Sequence, residues 1–258
     1  MQETEIIRDR KELERRRKAI YLLPNSFTTA ALFTGFFAVV QAMNGKFEMA
    51  AIAIFIAMVL DGMDGRVARL TNTQSAFGEQ YDSLSDMTSF GVAPALVAYQ
   101  FSLAALGRWG WLAAFIYVAG AALRLARFNT NIAVVDKRFF QGLPSPAAAA
   151  LVAGFVWLVQ DSRLLVPPEV LAWLMFAITV YAGVTMVSDA PFYSGKSFAL
   201  RRSVPFWALL VVVAVFVFVS SNPPVALFGL FVVYGLSGWV VWGWRLYRLR
   251  SRRRTVKH

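Results

Sequence analysis

The chain has 258 residues, of which 58% are hydrophobic and only 16% charged, and its mean hydropathy is +0.54. Soluble globular proteins are about 45–50% apolar and about 25% charged, so this composition excludes an ordinary soluble enzyme. The 22 phenylalanines and 8 tryptophans exclude a disordered chain. A net charge of +11 is typical of proteins that bind nucleic acid, but the positions of the charges favour a different interpretation.

Long runs without a charged residue alternate with short basic segments along the chain. The longest run, Val204–Trp244, is about twice the roughly 20 residues that cross a bilayer, and Asn222-Pro223-Pro224 divides it. This pattern predicts an all-α integral membrane protein. Its eight transmembrane helices are expected near residues 24–44, 47–69, 82–104, 109–128, 145–161, 168–187, 204–221 and 224–246.

The distribution of basic residues predicts the orientation in the membrane. An even number of spans places both termini on one side. Of the 26 lysines and arginines, all except Lys46, Arg108 and Arg163 then lie nearer that side. The positive-inside rule makes it the cytoplasmic side. The predicted partner of the basic charge is therefore the headgroup layer of membrane phospholipids, and no nucleic acid is expected.

The two ends of the chain are predicted to be cytoplasmic. Residues 1–20 form a charged segment with some apolar side chains, which is either a juxtamembrane helix on the membrane surface or a solvated tail. Residues 247–258 form a basic tail directly after the last span. The chain has no cysteine and its one histidine is the final residue, so thiolate chemistry and histidine catalysis are excluded.

Four aspartates stand near the cytoplasmic ends of two neighbouring spans. Asp61 and Asp64 are three residues apart, and Asp82 and Asp86 are four apart, so each pair projects from one helix face. A short loop joins the two helices, and all four carboxylates are expected to converge. Oxygen ligands alone select Mg²⁺, Mn²⁺ or Ca²⁺, and four carboxylates suit two such ions about 3.5–4 Å apart.

Two other interpretations of these charges are open on spacing alone. Arg66 and Arg69 lie close enough in sequence to pair with two of the aspartates at a helix end. A cation transporter also uses acidic residues in membrane helices, but it places them nearer the bilayer centre and in broken helices. A cluster at one face, beside a glycine and an arginine, favours a metal-assisted reaction on a phosphate compound.

The segment from Asp61 to Asp86 reads DGMDGRVARLTNTQSAFGEQYDSLSD. It fits D-x2-D-G-x2-A-R-x8-G-x3-D-x3-D at every fixed position, and so closely resembles the signature of the CDP-alcohol phosphotransferase family. The resemblance implies a membrane enzyme that moves a phosphatidyl group from a CDP-linked lipid to an alcohol and releases CMP. It implies metal binding by Asp61, Asp64, Asp82 and Asp86, with Asp86 also the general base, and contacts with the CDP lipid at Gly65, Ala68, Arg69 and Gly78.

Two further polar residues are candidates for the same ligand. Asn25, directly after Pro24 at the start of the first span, is expected either to face the nucleotide or to cap the helix. Thr71 follows the arginine of the signature and has the same two interpretations, ligand contact or local structure.

Four other segments indicate the acceptor alcohol. LLPNSFT (22–28), FGEQYDSLSDMTSFGVAPA (77–95), RLARFNT (124–130) and GLPSPAAA (142–149) resemble the membrane-integral bacterial branch of the family that uses L-serine. The resemblance implies CDP-diacylglycerol as donor, phosphatidylserine as product, a homodimer, and a bacterial cytoplasmic membrane with the active site on the cytoplasmic side. Residues 21–203 would form the six-helix catalytic core and 204–246 two further helices.

Serine recognition requires a cation for the carboxylate of the amino acid. Arg124 and Arg127, one helical turn apart, are candidates, and Asn129 can add hydrogen bonds. Both arginines also satisfy the positive-inside rule without any ligand. Glycerol 3-phosphate, choline or an inositol phosphate stay open as alternative acceptors. The phosphorylated acceptors would require more cations, and choline would require an aromatic cage.

Overall fold

The structure is a computed structural model that describes residues 24–71, 73–130, 139–162, 166–193 and 206–255. The N-terminal helix expected within residues 1–20 lies outside the described residues. The described chain is mostly helical. Its longer helices are α1 Pro24–Met43, α2 Phe47–Leu70, α3 Ala76–Asp86, α4 Ala93–Phe101, α5 Arg108–Thr130, α6 Ser145–Ser162, α7 Pro168–Val187, α8 Phe206–Ser221 and α9 Pro223–Thr255.

A π-helical turn, Met87–Val92, joins α3 to α4 without a break in helical backbone, and a 3₁₀ turn at Leu103–Leu106 precedes α5. Each of the eight predicted spans therefore coincides with a helix, the third with α3, the π turn and α4 together. Among the described residues, four helical segments are long and apolar enough to cross a membrane: α1, α5, α7 and Pro223–Arg245 of α9. These segments identify a membrane protein by length and composition.

One predicted helix start is wrong, and one helix extends beyond its predicted span. The third helix begins at Ala76 rather than at residue 82, because the Ser75 hydroxyl accepts a 3.0 Å hydrogen bond from the Gly78 N–H and caps the helix there. The last helix continues to Thr255, through most of the segment predicted as a basic tail. No glycine or proline follows Gly243, and arginine is a good helix former, so the helix has no local signal to end.

Small residues allow the helices to approach closely. α6 lies at the centre and packs against α2, α4, α7 and α9, with most of its residues buried. α5 and α7 meet backbone to backbone, because a Cβ on Gly120 would lie 2.4 Å from the carbonyl oxygen of Gly183. Alanine, glycine and serine at membrane helix contacts permit this close packing.

A short pair of strands departs from the all-α prediction. β1 Phe139–Gln141 pairs antiparallel with β2 Pro191–Tyr193. The chain then turns at Gly142, whose φ of +76° is a conformation that glycine adopts readily. The Gly142 N–H donates to the Ala190 carbonyl at 2.9 Å. The strands thereby fix the start of α6 beside the end of α7.

Candidate active site

The four aspartates of the signature are brought together by α2 and α3. The carboxylate oxygens of Asp61, Asp64 and Asp82 lie within 4.8 Å of one another, close enough to hold one metal ion. Asp61 is also within hydrogen-bonding reach of Asp86. The spacing of the aspartates on the two helices produces this convergence, because each pair occupies one helix face.

Two oxygens of this cluster have no hydrogen-bond partner among the residues that the structure describes. They are the buried Oδ1 atoms of Asp82 and Asp86. A buried carboxylate oxygen without a partner is costly, so the arrangement calls for a cation between the side chains. The donor set consists of oxygens alone, which fits Mg²⁺, Mn²⁺ or Ca²⁺ and does not fit a thiolate-preferring metal. The residues therefore fit a divalent metal centre.

Asp64 differs from the other three in its protein contacts. Its Oδ2 accepts a 2.7 Å hydrogen bond from the Thr28 hydroxyl of α1. Both side chains are buried, with 6% of Asp64 and 4% of Thr28 exposed. Thr28 ends the segment LLPNSFT, but no local pattern marks it as a partner of an aspartate.

A small open cleft of about 130 Å³ lies beside the cluster. Four of the predicted CDP-lipid residues line it: Asn25, Gly65, Ala68 and Gly78. Asp64 and Asp82 form its boundary with the acidic cluster. The amide oxygen of Asn25 lies 3.4 Å from the point where a Cβ on Gly78 would stand, so the absent side chain leaves this wall open. The remaining lining residues are Pro24, Thr28, Thr73, Gln74, Ser75 and Glu79.

The other two predicted CDP-lipid residues do not line this cleft. The Arg69 Nε donates to the Gly65 carbonyl at 2.8 Å and the side chain is exposed. The Thr71 hydroxyl donates to the Val67 carbonyl at 2.8 Å and contacts the Thr73 hydroxyl at 2.7 Å. Both side chains bond to the preceding turn of α2, so their contact with a ligand stays a prediction.

Arg124, on α5, approaches the acidic cluster at Asp86. It is close enough to Asp86 for an electrostatic interaction. Its Nη1 donates a 2.8 Å hydrogen bond to the hydroxyl of Ser145, the first residue of α6, while its Nε is buried and has no partner among the described residues. Ser145 is fully buried and lies in the segment GLPSPAAA, where no local pattern marks it as a partner of an arginine. The described residues therefore leave the Nε–H of Arg124 unused.

The other two predicted serine ligands are engaged elsewhere. Arg127 forms a 3.1 Å ion pair with Asp189, in the link between α7 and β2. The amide of Asn129 donates at 3.0 Å to the hydroxyl of Ser83, which is next to Asp82 on α3. Sequence reasoning missed both partners because each is distant in the chain. These contacts connect the end of α5 to its neighbours.

Sequence comparison defines the class of protein to which this site belongs. Residues 21–188 match the profile of the CDP-alcohol phosphatidyltransferase family, which covers more than half of the chain and all four aspartates. The chain belongs to this family. The resemblance of the Asp61–Asp86 segment is thereby confirmed.

Individual relatives carry a more specific name. The chain is 37% identical over 222 residues to CDP-diacylglycerol–serine O-phosphatidyltransferase of Helicobacter pylori strain ATCC 700392 / 26695, across 86% of this chain and 92% of that protein. It is 38% identical over 147 residues to the protein of that name from Methanocaldococcus jannaschii, across 56% and 65% of the two chains. With the Saccharomyces cerevisiae protein of that name it shares 37% identity over 142 residues, 50% and 51% of the two chains.

Proposed function

We propose that this protein transfers the phosphatidyl group of CDP-diacylglycerol to the hydroxyl of L-serine, giving phosphatidylserine and CMP. The observation that carries the proposal is a partly buried carboxylate cluster with two unpartnered oxygens among the described residues. An open cleft adjoins it at Asp64 and Asp82, and an arginine with an unused donor lies near Asp86. Family membership fixes the class of reaction, and relatives named as serine phosphatidyltransferases support serine as the acceptor.

Asp61, Asp64, Asp82 and Asp86 would hold two divalent cations, Mg²⁺ or Mn²⁺. Such ions neutralise the charge that develops on a pyrophosphate when it is cleaved. The protein would bind the cytidine and phosphates of the donor along the cleft, where Asn25, Gly65 and Gly78 leave room for the ligand. The acyl chains would extend into the bilayer beside the apolar helices.

In the proposed reaction the serine hydroxyl oxygen forms a bond to the phosphorus of the phosphatidyl group. The bond from that phosphorus to the bridging oxygen of CMP breaks, and CMP leaves with the electron pair. Asp86 accepts the hydroxyl proton, since it lies near Arg124, the cation proposed for the serine carboxylate. A single direct displacement of this kind requires no covalent enzyme intermediate.

Arg124 is the cation that we assign to the serine carboxylate. It lies beside Asp86, so a bound carboxylate would place the serine hydroxyl near the proposed base. Arg127 and Asn129 stay secondary candidates because their side chains already bond to Asp189 and Ser83. In these positions they would orient the end of α5 around the acceptor.

We further propose that all eight helical spans cross a bacterial cytoplasmic membrane, with both termini and the site on the cytoplasmic side. The basic bias of the predicted loops supports this orientation. The division into a 21–203 core, two further helices at 204–246 and a basic 247–258 tail belongs to the same proposal, with the structural difference that α9 is helical to Thr255. A homodimer embedded in membrane phospholipids is the expected assembly.

An assay on the purified protein in detergent tests the reaction. With CDP-diacylglycerol, Mn²⁺ or Mg²⁺ and labelled serine, we expect release of CMP together with labelled phosphatidylserine, and none after chelation of the metal. Asp86→Asn should lower turnover by at least about 100-fold, because a general base contributes that much, while CDP-lipid binding persists. Asp161→Asn, an exposed aspartate at the end of α6, is the matched control and should retain turnover.

The same assay separates the competing acceptors. Consumption of glycerol 3-phosphate, choline or an inositol phosphate in place of serine would contradict the proposed acceptor while preserving the family chemistry. Normal turnover by Asp86→Asn would contradict the assignment of the base.

A further inference from the structure

The hydroxyl of Thr28 donates a hydrogen bond to Oδ2 of Asp64. Threonine hydroxyls in helices usually bond to the carbonyl four residues earlier. In α1 that carbonyl, of Pro24, is 3.3 Å from the Thr28 Oγ1, whereas Asp64 Oδ2 is at 2.7 Å. A hydroxyl has a single proton to donate, so the shorter and charge-assisted contact takes it.

The backbone carbonyl of Thr28 also accepts a hydrogen bond, from a side chain of α3. The hydroxyl of Ser85, which is buried between Asp82 and Asp86 on α3, donates to the Thr28 carbonyl at 3.2 Å. One turn further along, the Ser89 hydroxyl donates to the Ala31 carbonyl at 3.1 Å. Thr28 therefore joins the α2 half of the acidic cluster to the α3 half through α1.

A carboxylate near other carboxylates turns away from them unless its oxygens are held. Asp64 lies with Asp61 and Asp82 in the group whose oxygens are within 4.8 Å of one another. The bond from Thr28 fixes the rotation of the Asp64 carboxylate in that group. Residues that orient a metal ligand in this way commonly change metal affinity by about 10- to 100-fold when they are removed.

We propose that Thr28 is a positioning residue of the divalent-metal centre, which holds Asp64 in its ligating orientation through its hydroxyl. The inference rests on the proposed metal-dependent transfer reaction. It assigns to α1, which carries none of the signature aspartates, a part in building the metal site. This role predicts that metal affinity depends on the hydroxyl of Thr28 and not on the rest of its side chain.

Binding of Mn²⁺ to the purified full-length protein, followed by electron paramagnetic resonance of the free ion, tests this role without using activity. Thr28→Val keeps the shape and removes the donor, so we expect Mn²⁺ to bind about 10- to 100-fold more weakly. Thr28→Ser keeps the hydroxyl and should bind Mn²⁺ within about threefold of the unchanged protein. The metal concentration for half-maximal turnover should shift in parallel.

The neighbouring threonine supplies the matched control. Thr29 is exposed, and its hydroxyl contacts the Asn25 carbonyl and the Tyr81 hydroxyl rather than the acidic cluster. Thr29→Val should leave Mn²⁺ affinity unchanged. If Thr28→Val does not fold, the comparison of Thr28→Ser with Thr28→Ala decides the question, since only the serine variant should bind Mn²⁺ normally.

The outcomes distinguish this inference from the proposed function. Unchanged Mn²⁺ affinity in Thr28→Val, or equal weakening in Thr28→Ser and Thr28→Ala, would overturn the positioning role and leave the reaction intact. Failure of the unchanged protein to bind Mn²⁺ or to consume serine would contradict the proposed reaction itself.

Discussion

Arg124 and Arg127 illustrate how two residues of one type, one helical turn apart, acquire different surroundings. Arg124 is directed towards Asp86 and Ser145, with its Nε buried and unpartnered. Arg127 is partly exposed and paired with Asp189, whose side chain is 80% exposed. An exposed ion pair contributes about 0.2–1 kcal/mol, so Arg127 contributes mainly to local order. The buried and incompletely bonded arginine is the better candidate for a ligand.

Arg124→Ala should therefore raise the KM for serine more than Arg127→Ala does. A hydrogen bond to a charged group is worth about 1.5–3 kcal/mol, which corresponds to an increase in the serine KM of about 10- to 150-fold for Arg124→Ala. The KM for CDP-diacylglycerol should change little. Steady-state kinetics with each substrate varied in turn measures both values.

Arg108→Ala is the control for this pair, since Arg108 is exposed at the opposite end of α5. It should leave both KM values unchanged. Equal effects of Arg124→Ala on the two substrates, or a larger effect of Arg127→Ala on serine, would count against carboxylate recognition by Arg124.

Among the helices, the contact between α5 and α7 fixes the position of α5, which carries Arg124. Gly120 and Gly183 face one another, and no side chain separates their backbones. A methyl group at Gly120 would lie 2.4 Å from a carbonyl oxygen that belongs to the other helix, so the helices would have to move apart. Displacement of α5 would also move Arg124 relative to Asp86.

Gly120→Ala is accordingly expected to lower the stability of the protein in detergent by about 1–3 kcal/mol, the usual effect of overpacking. Gly229→Ala is the matched control on α9, because a Cβ there meets no atom within 4 Å. In a helix, alanine is more favourable than glycine by about 1 kcal/mol, so Gly229→Ala should leave the stability unchanged or raise it. The thermal unfolding midpoints of Gly120→Ala and Gly229→Ala in detergent measure the difference. A midpoint for Gly120→Ala at or above that of Gly229→Ala would show that the contact is not tight.

At the scale of the whole molecule, the predicted topology places the start of α2 and the end of α5 on opposite sides of the membrane. The chain has no cysteine, so single introduced cysteines report on accessibility without background. Lys46→Cys should react with a membrane-impermeant maleimide in intact cells, whereas Thr130→Cys should react only after the cells are permeabilised. Both positions are exposed on the protein.

The reverse labelling pattern would invert the orientation, and labelling of both positions in intact cells would contradict the eight-span topology. Turnover of each variant in the serine assay provides the check that the labelled protein is folded.

Much of the helical architecture is predictable because hydrophobic length and charge are local properties of the sequence. The interrupted apolar runs locate the helices, and the proline pair at 223–224 separates α8 from α9. The early start of α3 does not follow from hydropathy, because the Ser75 hydroxyl, and not an apolar run, marks the beginning of the helix. The two strands were missed because each has three residues, too few to show a periodic pattern.

The apolar and helical character of the protein, the four aspartates on two neighbouring helix faces and the family signature can all be read from the sequence. These properties follow from composition and from spacing along one or two adjacent helices. The bond from Thr28 to Asp64, the contact of Ser145 with Arg124 and the ion pair of Arg127 with Asp189 become visible only in the folded structure. Each of these contacts joins helices that are far apart in the chain, and side-chain partners across such distances depend on how the helices pack.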